Sequence, residues 1–509
     1  MKRNLKKYIA LLTVGILGLQ ACDKGFEEMN TNPNTSPNPT PAFVFTKSVL
    51  DGAGDVLNLL QGTMQYTTSY NDVAGFGAKY VLSQSQQSWT VFNNAYPKEI
   101  NEITQVITAL GSDAALSNQL QCARIWRAYC FSRITDLYGD VPYSQAGKGY
   151  TDDLYMPVYD EQKNIYADML KELDEAATAI NTTGAGFGAA DLIYKGNMAQ
   201  WKKFSYSLML RLAMRMTKVD IAAAETWAKK AIAGGVILDD ADVAKVTGYV
   251  LTGQDINKNP LALNLYNSDY IAANGNSNPE GGKFQDVFIN FLKTNNDPRL
   301  GVLSVVWNGT TPDTISAIQK GMSAMLGTKP ADFVTYSEPN PATILQFNSP
   351  YLLLTNAETN FLLAEAALRG WYTGASASVA YENGISAAMR QWAQFGTGAG
   401  NISDNQIQTY IRYHKLNTAG TVDAQLEQIY TQFWVGVYPN ATETWNTYRR
   451  TGYPKLTPNN YVGNATGGKI FRRFLYPATE QNLNGTNYRA AIARQGPDEF
   501  LTRMWWDRP

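Results

Sequence analysis

The stretch Gln121-Cys122-Ala123-Arg124-Ile125-Trp126-Arg127-Ala128-Tyr129-Cys130-Phe131-Ser132-Arg133-Ile134-Thr135-Asp136-Leu137-Tyr138-Gly139 decides the fold class. Its apolar positions Cys122, Ile125, Trp126, Tyr129, Cys130, Ile134 and Leu137 recur every three or four residues, the period of a helix with one buried face. Gly139 then supplies the left-handed cap that ends such a helix. The same period recurs along the chain. Residues 159–180 carry Ile165, Tyr166, Met169, Leu170, Leu173, Ala176, Ala177 and Ile180 in register. Residues 200–216 carry Trp201, Phe204, Leu208, Leu212 and Met216, with Arg211 and Arg215 beside them. Residues 355–368 and 426–437 show it again, the former ending at Gly370. Clean alternation is rare: 246–251 and 303–307 are the best short strands. The chain is therefore mostly α, with long Gly- and Asn-rich connections over 182–195, 267–283, 308–337 and 451–469. Loops of that length are commonly functional.

The N-terminus says where this body lives. Lys2, Arg3, Lys6 and Lys7 precede an apolar run from Tyr8 to Leu19, closed by Leu19-Gln20-Ala21-Cys22. A basic start, a short apolar stretch and a small residue before the cut are the marks of a secretory signal. The run is shorter than the roughly 20 residues a membrane-spanning helix needs. A Cys directly after the small residue resembles a bacterial lipobox, so residues 1–21 are expected to be a signal peptide and Cys22 the lipidated residue. Gln20 is not the small or β-branched residue such boxes prefer. Two or three acyl chains on one Cys anchor a protein stably. Residues 22–41 place Pro33, Pro37, Pro39 and Pro41 among Asn, Ser and Thr, a semi-extended tether that cannot bury enough to fold. Residues 42–509 are expected to form one large domain.

Bulk composition narrows the function classes. The 509 residues are 44% hydrophobic and 17% charged, with a formal net charge of -1. Near-neutrality argues against nucleic acid, which selects a basic face. Thirty Tyr, eleven Trp and nineteen Phe supply many flat faces with polar edges, suited to sugars or peptides but also to core packing. Beyond Cys22 the chain has only Cys122 and Cys130. Eight residues of helix put them about 12 Å apart, beyond the roughly 7 Å a disulfide tolerates between Cα atoms, so both are expected to be buried and free.

Catalytic signals are weak. The single histidine, His414, would have to serve any Ser–His or Cys–His site, and no Gly-x-Ser-x-Gly elbow is present. There is no His-Glu-x-x-His, no Cys-x-x-Cys and no phosphate loop. Asn274-Gly275-Asn276-Ser277-Asn278-Pro279-Glu280 alternates oxygen ligands as a calcium loop does, yet Pro279 replaces the turn glycine and Gln285 the bidentate Glu. No cofactor is expected. Glycoside hydrolysis needs two facing carboxylates. Asp136, Asp140, Asp152, Asp153, Glu358 and Glu365 are available, and Glu358 with Glu365 reads better as anchors of a packed helix.

Five ordered stretches then carry a specific resemblance. They are Arg127-Ala128-Tyr129-Cys130-Phe131 running into Asp136-Leu137-Tyr138-Gly139-Asp140-Val141-Pro142-Tyr143; Trp201-Lys202-Lys203-Phe204 leading to Leu210-Arg211-Leu212-Ala213-Met214-Arg215; Asp297-Pro298-Arg299-Leu300; Glu358-Thr359-Asn360-Phe361-Leu362-Leu363-Ala364-Glu365-Ala366; and Trp445-Asn446-Thr447-Tyr448-Arg449-Arg450-Thr451-Gly452-Tyr453-Pro454, followed by Arg472-Arg473-Phe474-Leu475-Tyr476-Pro477 and Met504-Trp505-Trp506-Asp507. In this order, behind a lipobox, they resemble the SusD/RagB family of Bacteroidetes outer-membrane lipoproteins. The resemblance implies tetratricopeptide-like helix pairs in a right-handed superhelix, with irregular ligand-facing loops. It implies a non-enzymatic protein, anchored in the outer membrane at the cell surface. Such a protein sits as a lid on a SusC-type TonB-dependent transporter and delivers an oligosaccharide, or in some members a peptide. Arg449-Arg450 and Arg472-Arg473 are expected to be ion-paired framework.

Sugar binding wants exposed aromatics beside amides or carboxylates. Residues 66–72 and 84–94 have that mix, and the family implies further contacts from mid-chain loops, where Tyr266, Tyr270, Trp307 and Tyr336 stand. The expected ligand-binding residues are Trp89, Tyr70, Asn71, Asp72, Gln87, Tyr266 and Tyr336. Two other readings compete: a surface glycoside hydrolase, and a lipoprotein that binds only its barrel.

Overall fold

A computed structural model describes residues 39–53, 58–71, 79, 88–266 and 282–509. Cys22, the tether through residue 38 and the 274–280 loop lie outside the described residues; Pro41, expected to end the tether, instead begins a helix.

Helix α1 (Pro41–Gly52) packs on α2 (Asn101–Leu110), and α2 on α3 (Ser117–Tyr138). The sequence continues the stack through α4 (Gln162–Ala179), α5 (Met198–Arg215) and α6 (Ile221–Gly234), each against its predecessor. After α7 (Asp286–Thr294), a second group follows: α8 (Asn356–Leu368), α9 (Ala377–Arg390), α10 (Asp404–Tyr413), α11 (Val422–Gly436) and α12 (Ala441–Thr451). Here α8 packs on α9 and α11, and its contact with α5 joins the two groups. Helix α13 (Gly485–Gln495) closes the chain against the first group's connections. The architecture is mostly α, built of helix pairs.

Strands are brief. They are β1 (Thr67–Thr68), β2 (Val141–Pro142), β3 (Tyr159–Asp160), β4 (Ala244–Val246), β5 (Lys283–Phe284), β6 (Ser304–Asn308), β7 (Thr311–Asp313), β8 (Glu338–Pro339) and β9 (Tyr351–Leu354). They form antiparallel pairs β1–β5, β2–β3 and β4–β9 and the three-stranded order β7-β6-β8. Two sequence expectations shift. The helix expected from 159 starts at Gln162, because Tyr159–Asp160 pairs as β3 and the Asp140 carboxylate accepts the Gln162 N–H at 2.9 Å, capping α4. The strand expected over 246–251 is instead Ala244–Val246; beyond it Thr247 turns to bond Leu192 O and Gly248 takes φ +95.

The end of α3 behaves as its sequence demands. Gly139 adopts φ +85 and donates its N–H to Thr135 O at 2.8 Å. A Cβ there would meet Gln495 Oε1 at 2.2 Å, the end of a side chain that can shift, so it is the positive φ that requires glycine. Cys122 and Cys130 are both buried, and neither is in a disulfide.

Four of the five quoted stretches meet at the centre, while in the third Arg299 pairs with its own neighbour Asp297 at 2.9 and 2.5 Å. Arg211 on α5 grips Glu358 on α8 bidentately at 2.6 and 2.7 Å. Glu443 on α12 accepts from Arg215 at 2.7 Å and lies 3.5 Å from Arg211. Asp136 on α3 faces Arg215 at 3.4 Å and accepts from Trp506 Nε1 at 3.0 Å, Asn446 Nδ2 at 3.2 Å and the Tyr166 hydroxyl. Arg449 lies on the rings of Trp445 and Trp506, 3.3 and 4.5 Å from their centroids. A second knot has Glu365 accepting from Arg450 at 2.9 and 2.7 Å, from Arg369 at 2.8 Å and from the Tyr430 hydroxyl. Asp136, Glu358, Glu365, Glu443, Arg211, Arg215, Arg449 and Arg450 are all buried. Burial lifts the carboxyls of Asp136 and Glu358 above their ordinary range despite the arginines. For Glu365 and Glu443 burial pushes the same way, but Arg450 for the first and Arg211 with Arg215 for the second outweigh it and hold them low.

Removing one partner of such a pair strands a charge away from water. Glu365→Ala is expected to cost about 3–5 kcal/mol in urea unfolding. Because the Glu365 carboxyl is held low in the folded state, its ionised form stabilises above the unfolded value of about 4.3 and that contribution is lost as pH falls through the folded value. The stability gap between wild type and Glu365→Gln is therefore expected to be full near neutral pH and to narrow below about pH 4; a gap that widens on acidification contradicts the assignment.

Candidate functional site

The site grows from the β1–β5 pair, which sets Thr67 opposite Phe284 and Thr68 opposite Lys283. Lys283 is fully buried and forms an ion pair with Glu338 on β8. Burial pulls the Lys283 ammonium below the usual lysine range while Glu338 pulls it back up. The other oxygen of Glu338 accepts the Trp307 indole N–H at 2.8 Å. The Lys283 ammonium also lies 4.4 Å from the centre of the buried Phe333 ring. These contacts fix residues 333–338 on a rigid base.

Aromatic and amide groups assemble on that base. Tyr70 meets Phe333 edge-on, centroids 5.4 Å apart at 88°. Asn71 is exposed, its Oδ1 taking the Ser69 hydroxyl at 2.5 Å. Tyr336 is half-buried, with the Lys320 ammonium 4.2 Å from its ring centre and that ammonium paired to Asp332 at 2.5 Å. The buried Lys79 ammonium donates to Tyr70 O and, at 2.7 Å, to Leu326 O, while lying 4.4 Å from the centre of the Tyr461 ring. A Cβ on Gly327 would meet the Tyr461 hydroxyl at 2.5 Å, so glycine lets that loop close onto Tyr461. Asn459 donates to Ala324 O at 3.2 Å. Three chain segments that are remote in sequence thus present half-exposed Tyr70, Tyr336 and Tyr461 in one neighbourhood, with Asn71 at its edge.

Of the expected site residues, Tyr70, Asn71 and Tyr336 come together here. Trp89 sits elsewhere: its neighbour Ser88 accepts from the Tyr138 hydroxyl at the end of α3, and the half-buried Trp89 has an enclosed indole N–H that finds no acceptor among the described residues. Tyr266 packs edge-on against Phe347 at 5.2 Å, with Lys258 on the Phe347 ring. Asp72, Gln87 and Tyr270 lie outside the described residues. Trp307 is corrected to framework, since its ring is buried and its N–H is used by Glu338. Lys79, Phe333 and Tyr461 were missed. Pro458-Asn459-Asn460-Tyr461 within the long 451–469 loop carried the same aromatic-plus-amide signal as 66–72.

The carboxylates considered for hydrolysis have other employment. Asp136, Glu358 and Glu365 are buried in ion pairs, and Asp140 caps α4 while pairing with Arg494 at 2.9 Å. Asp152 and Asp153 are exposed. His414 Nε2 lies 3.1 Å from Asn295 O. The paired arginines are framework, as expected: Arg473, fully buried, meets Asp498 at 3.1 Å and Arg472 meets Asp507 at 3.3 Å. Among the described residues no group of three or more His, Cys, Asp or Glu is placed to hold a metal ion, and no helix is long and apolar enough to cross a membrane.

A stacked helix-pair body with few short strands is the architecture of SusD-like proteins. The chain belongs to that family: the family model described as "Starch-binding associating with outer membrane" matches residues 34–477. Among solved structures it is similar to a chitin-binding protein, 29% identical over 92% of this chain and 100% of the other, TM-score 0.79. A Bacteroidetes SusD-like protein is 25% identical over 92% and 100%, TM-score 0.79. A chitin-binding SusD homologue from Flavobacterium johnsoniae shares the fold at 24% identity over 92% and 97%, TM-score 0.72. No curated protein matches the chain.

Glu338→Ala leaves the Lys283 ammonium and the Trp307 N–H without their shared partner. It is expected to destabilise by about 3–5 kcal/mol and to shift tryptophan emission, as read by chemical unfolding followed by fluorescence. Unchanged stability contradicts the rigid base described here.

Proposed function

We propose that the protein is a cell-surface lipoprotein, anchored through Cys22, that captures an oligosaccharide and hands it to a SusC-type TonB-dependent outer-membrane transporter without cleaving it. The observation that carries this is the convergence of Tyr70, Tyr336 and Tyr461 with Asn71 over the Lys283–Glu338–Trp307 base. Tyrosine faces stack on the apolar faces of pyranose rings, and amides match hydroxyl donors and acceptors. Membership of a family described as starch-binding, and similarity to a chitin-binding protein, support a glycan over a peptide. Asp72, Gln87, Trp89 and Tyr266 are kept as proposed ligand contacts on the strength of the sequence alone. Residues 1–21 are then the signal, 22–41 the tether and 42–509 the capturing body, and the protein uses no cofactor.

Full-chain protein is expected to be retained by one class of polysaccharide in affinity electrophoresis and to release no shortened product. Tyr336→Ala and Tyr70→Ala are each expected to weaken retention about tenfold, the equivalent of roughly 1.4 kcal/mol of lost stacking, with unchanged circular dichroism. Release of product that stops on neutralising one carboxylate favours the surface hydrolase instead.

A further inference from the structure

A second concavity lies apart from the tyrosine face, between the turn that follows α7 and the exposed side of α10. Its volume is about 800 Å³, within the size range of small-molecule sites. We propose that this groove is a second binding subsite for a neutral oligosaccharide, with Tyr413 as its stacking platform. The proposal rests on the glycan reading above and extends it to a place that reading does not use.

Three features carry it. First, Tyr413 is 75% exposed. Arg412 lies 5.2 Å from its ring centre, and a ring so placed has a face to offer. Second, hydrogen-bonding groups without protein partners line the groove beside it. Asn405 and Thr409 are exposed on α10, one helical turn apart and one turn from Tyr413, and their side chains bond to nothing among the described residues. Gln406 uses its Oε1 in the cap of α10, accepting from Ser403 N–H at 3.0 Å, which leaves its NH2 to donate. His414 Nε2 faces the carbonyl of Asn295 at 3.1 Å; a carbonyl only accepts, so Nε2 carries a proton and donates. Donors and acceptors are thus mixed, as sugar hydroxyls require. Third, the lining itself offers no unpaired charge: among the described lining residues Asp297 is the one acidic group, Arg299 holds it at 2.9 and 2.5 Å, and the exposed Arg412 lies over the Tyr413 ring without joining the lining. That selects a neutral chain over a uronic or sulfated one.

The test is hydroxyl-radical footprinting of the full chain with hexamers of N-acetylglucosamine, glucose, xylose and mannose, and with a hexagalacturonate as the charged control. A neutral hexamer is expected to protect Tyr413 and His414, and this protection is expected to survive in Tyr336→Ala. Tyr413→Ala, a substitution at an exposed ring that leaves the core alone, is expected to weaken binding of that hexamer in Tyr336→Ala by about tenfold. Protection at Tyr336 with none at Tyr413 overturns the second subsite and leaves the capture reading standing. Protection of Tyr413 by hexagalacturonate alone overturns the neutral specificity argued from Asp297 and Arg299. Binding of no hexamer to wild type overturns both.

Discussion

Everything in this fold depends on burying arginine–carboxylate pairs where α3, α5, α8, α11 and α12 meet. An ion pair in an interior is poor at adding stability, because desolvation consumes most of the Coulombic gain. It is good at refusing alternatives, since any packing that separates Arg211 from Glu358, or Arg450 from Glu365, leaves a charge with neither water nor a partner. Helix pairs with similar apolar stripes have many near-equivalent ways to stack. Three arginines, three carboxylates and the Trp445 and Trp506 rings make one of those ways far better than the rest. The C-terminal Trp506, bonded to Asp136 370 positions earlier, ties the end of the chain into the same centre.

Such a centre frees the loops. The base under Tyr70, Tyr336 and Tyr461 is a smaller copy of the same device, with Lys283 and Glu338 pinning a two-strand pairing and the indole of Trp307 satisfying the remaining oxygen. Rings held by neighbours that cannot move present a preorganised surface, which lowers the entropy lost when a ligand docks. Residues 320–338 and 457–461 can therefore be irregular in backbone and still fixed in position.

Much of this was legible in the sequence, and the limits have physical causes. Helices α5 and α8 were read nearly to the residue, and α3 at its C-terminal end though it starts earlier, at Ser117, because a wide apolar stripe with Thr, Asn or Gly at its ends is a local signal. Short strands were misplaced because two or three paired residues carry no period; β4 is set by β9, a hundred positions on. Glu358 and Glu365 were recognisable as anchors from their helix alone, but their partners Arg211 and Arg450 come from other helices. The site was half legible. Tyr70, Asn71 and Tyr336 stood out by composition, whereas Lys79 and Tyr461 matter only because folding brings residue 79 to residue 461. Trp307 misled for the converse reason: an aromatic in a loop context looks available until its N–H is found bonded to a buried Glu338.

The most direct measurement of the central claim is a crystal structure of the full-length protein with the oligosaccharide it retains. The account predicts intact sugar rings lying against Tyr70, Tyr336 and Tyr461, with Asn71 within hydrogen-bonding distance of their hydroxyls and the Lys283–Glu338–Trp307 contacts unchanged. A cleaved sugar, or an intact one bound while all three tyrosines stay bare, would contradict it.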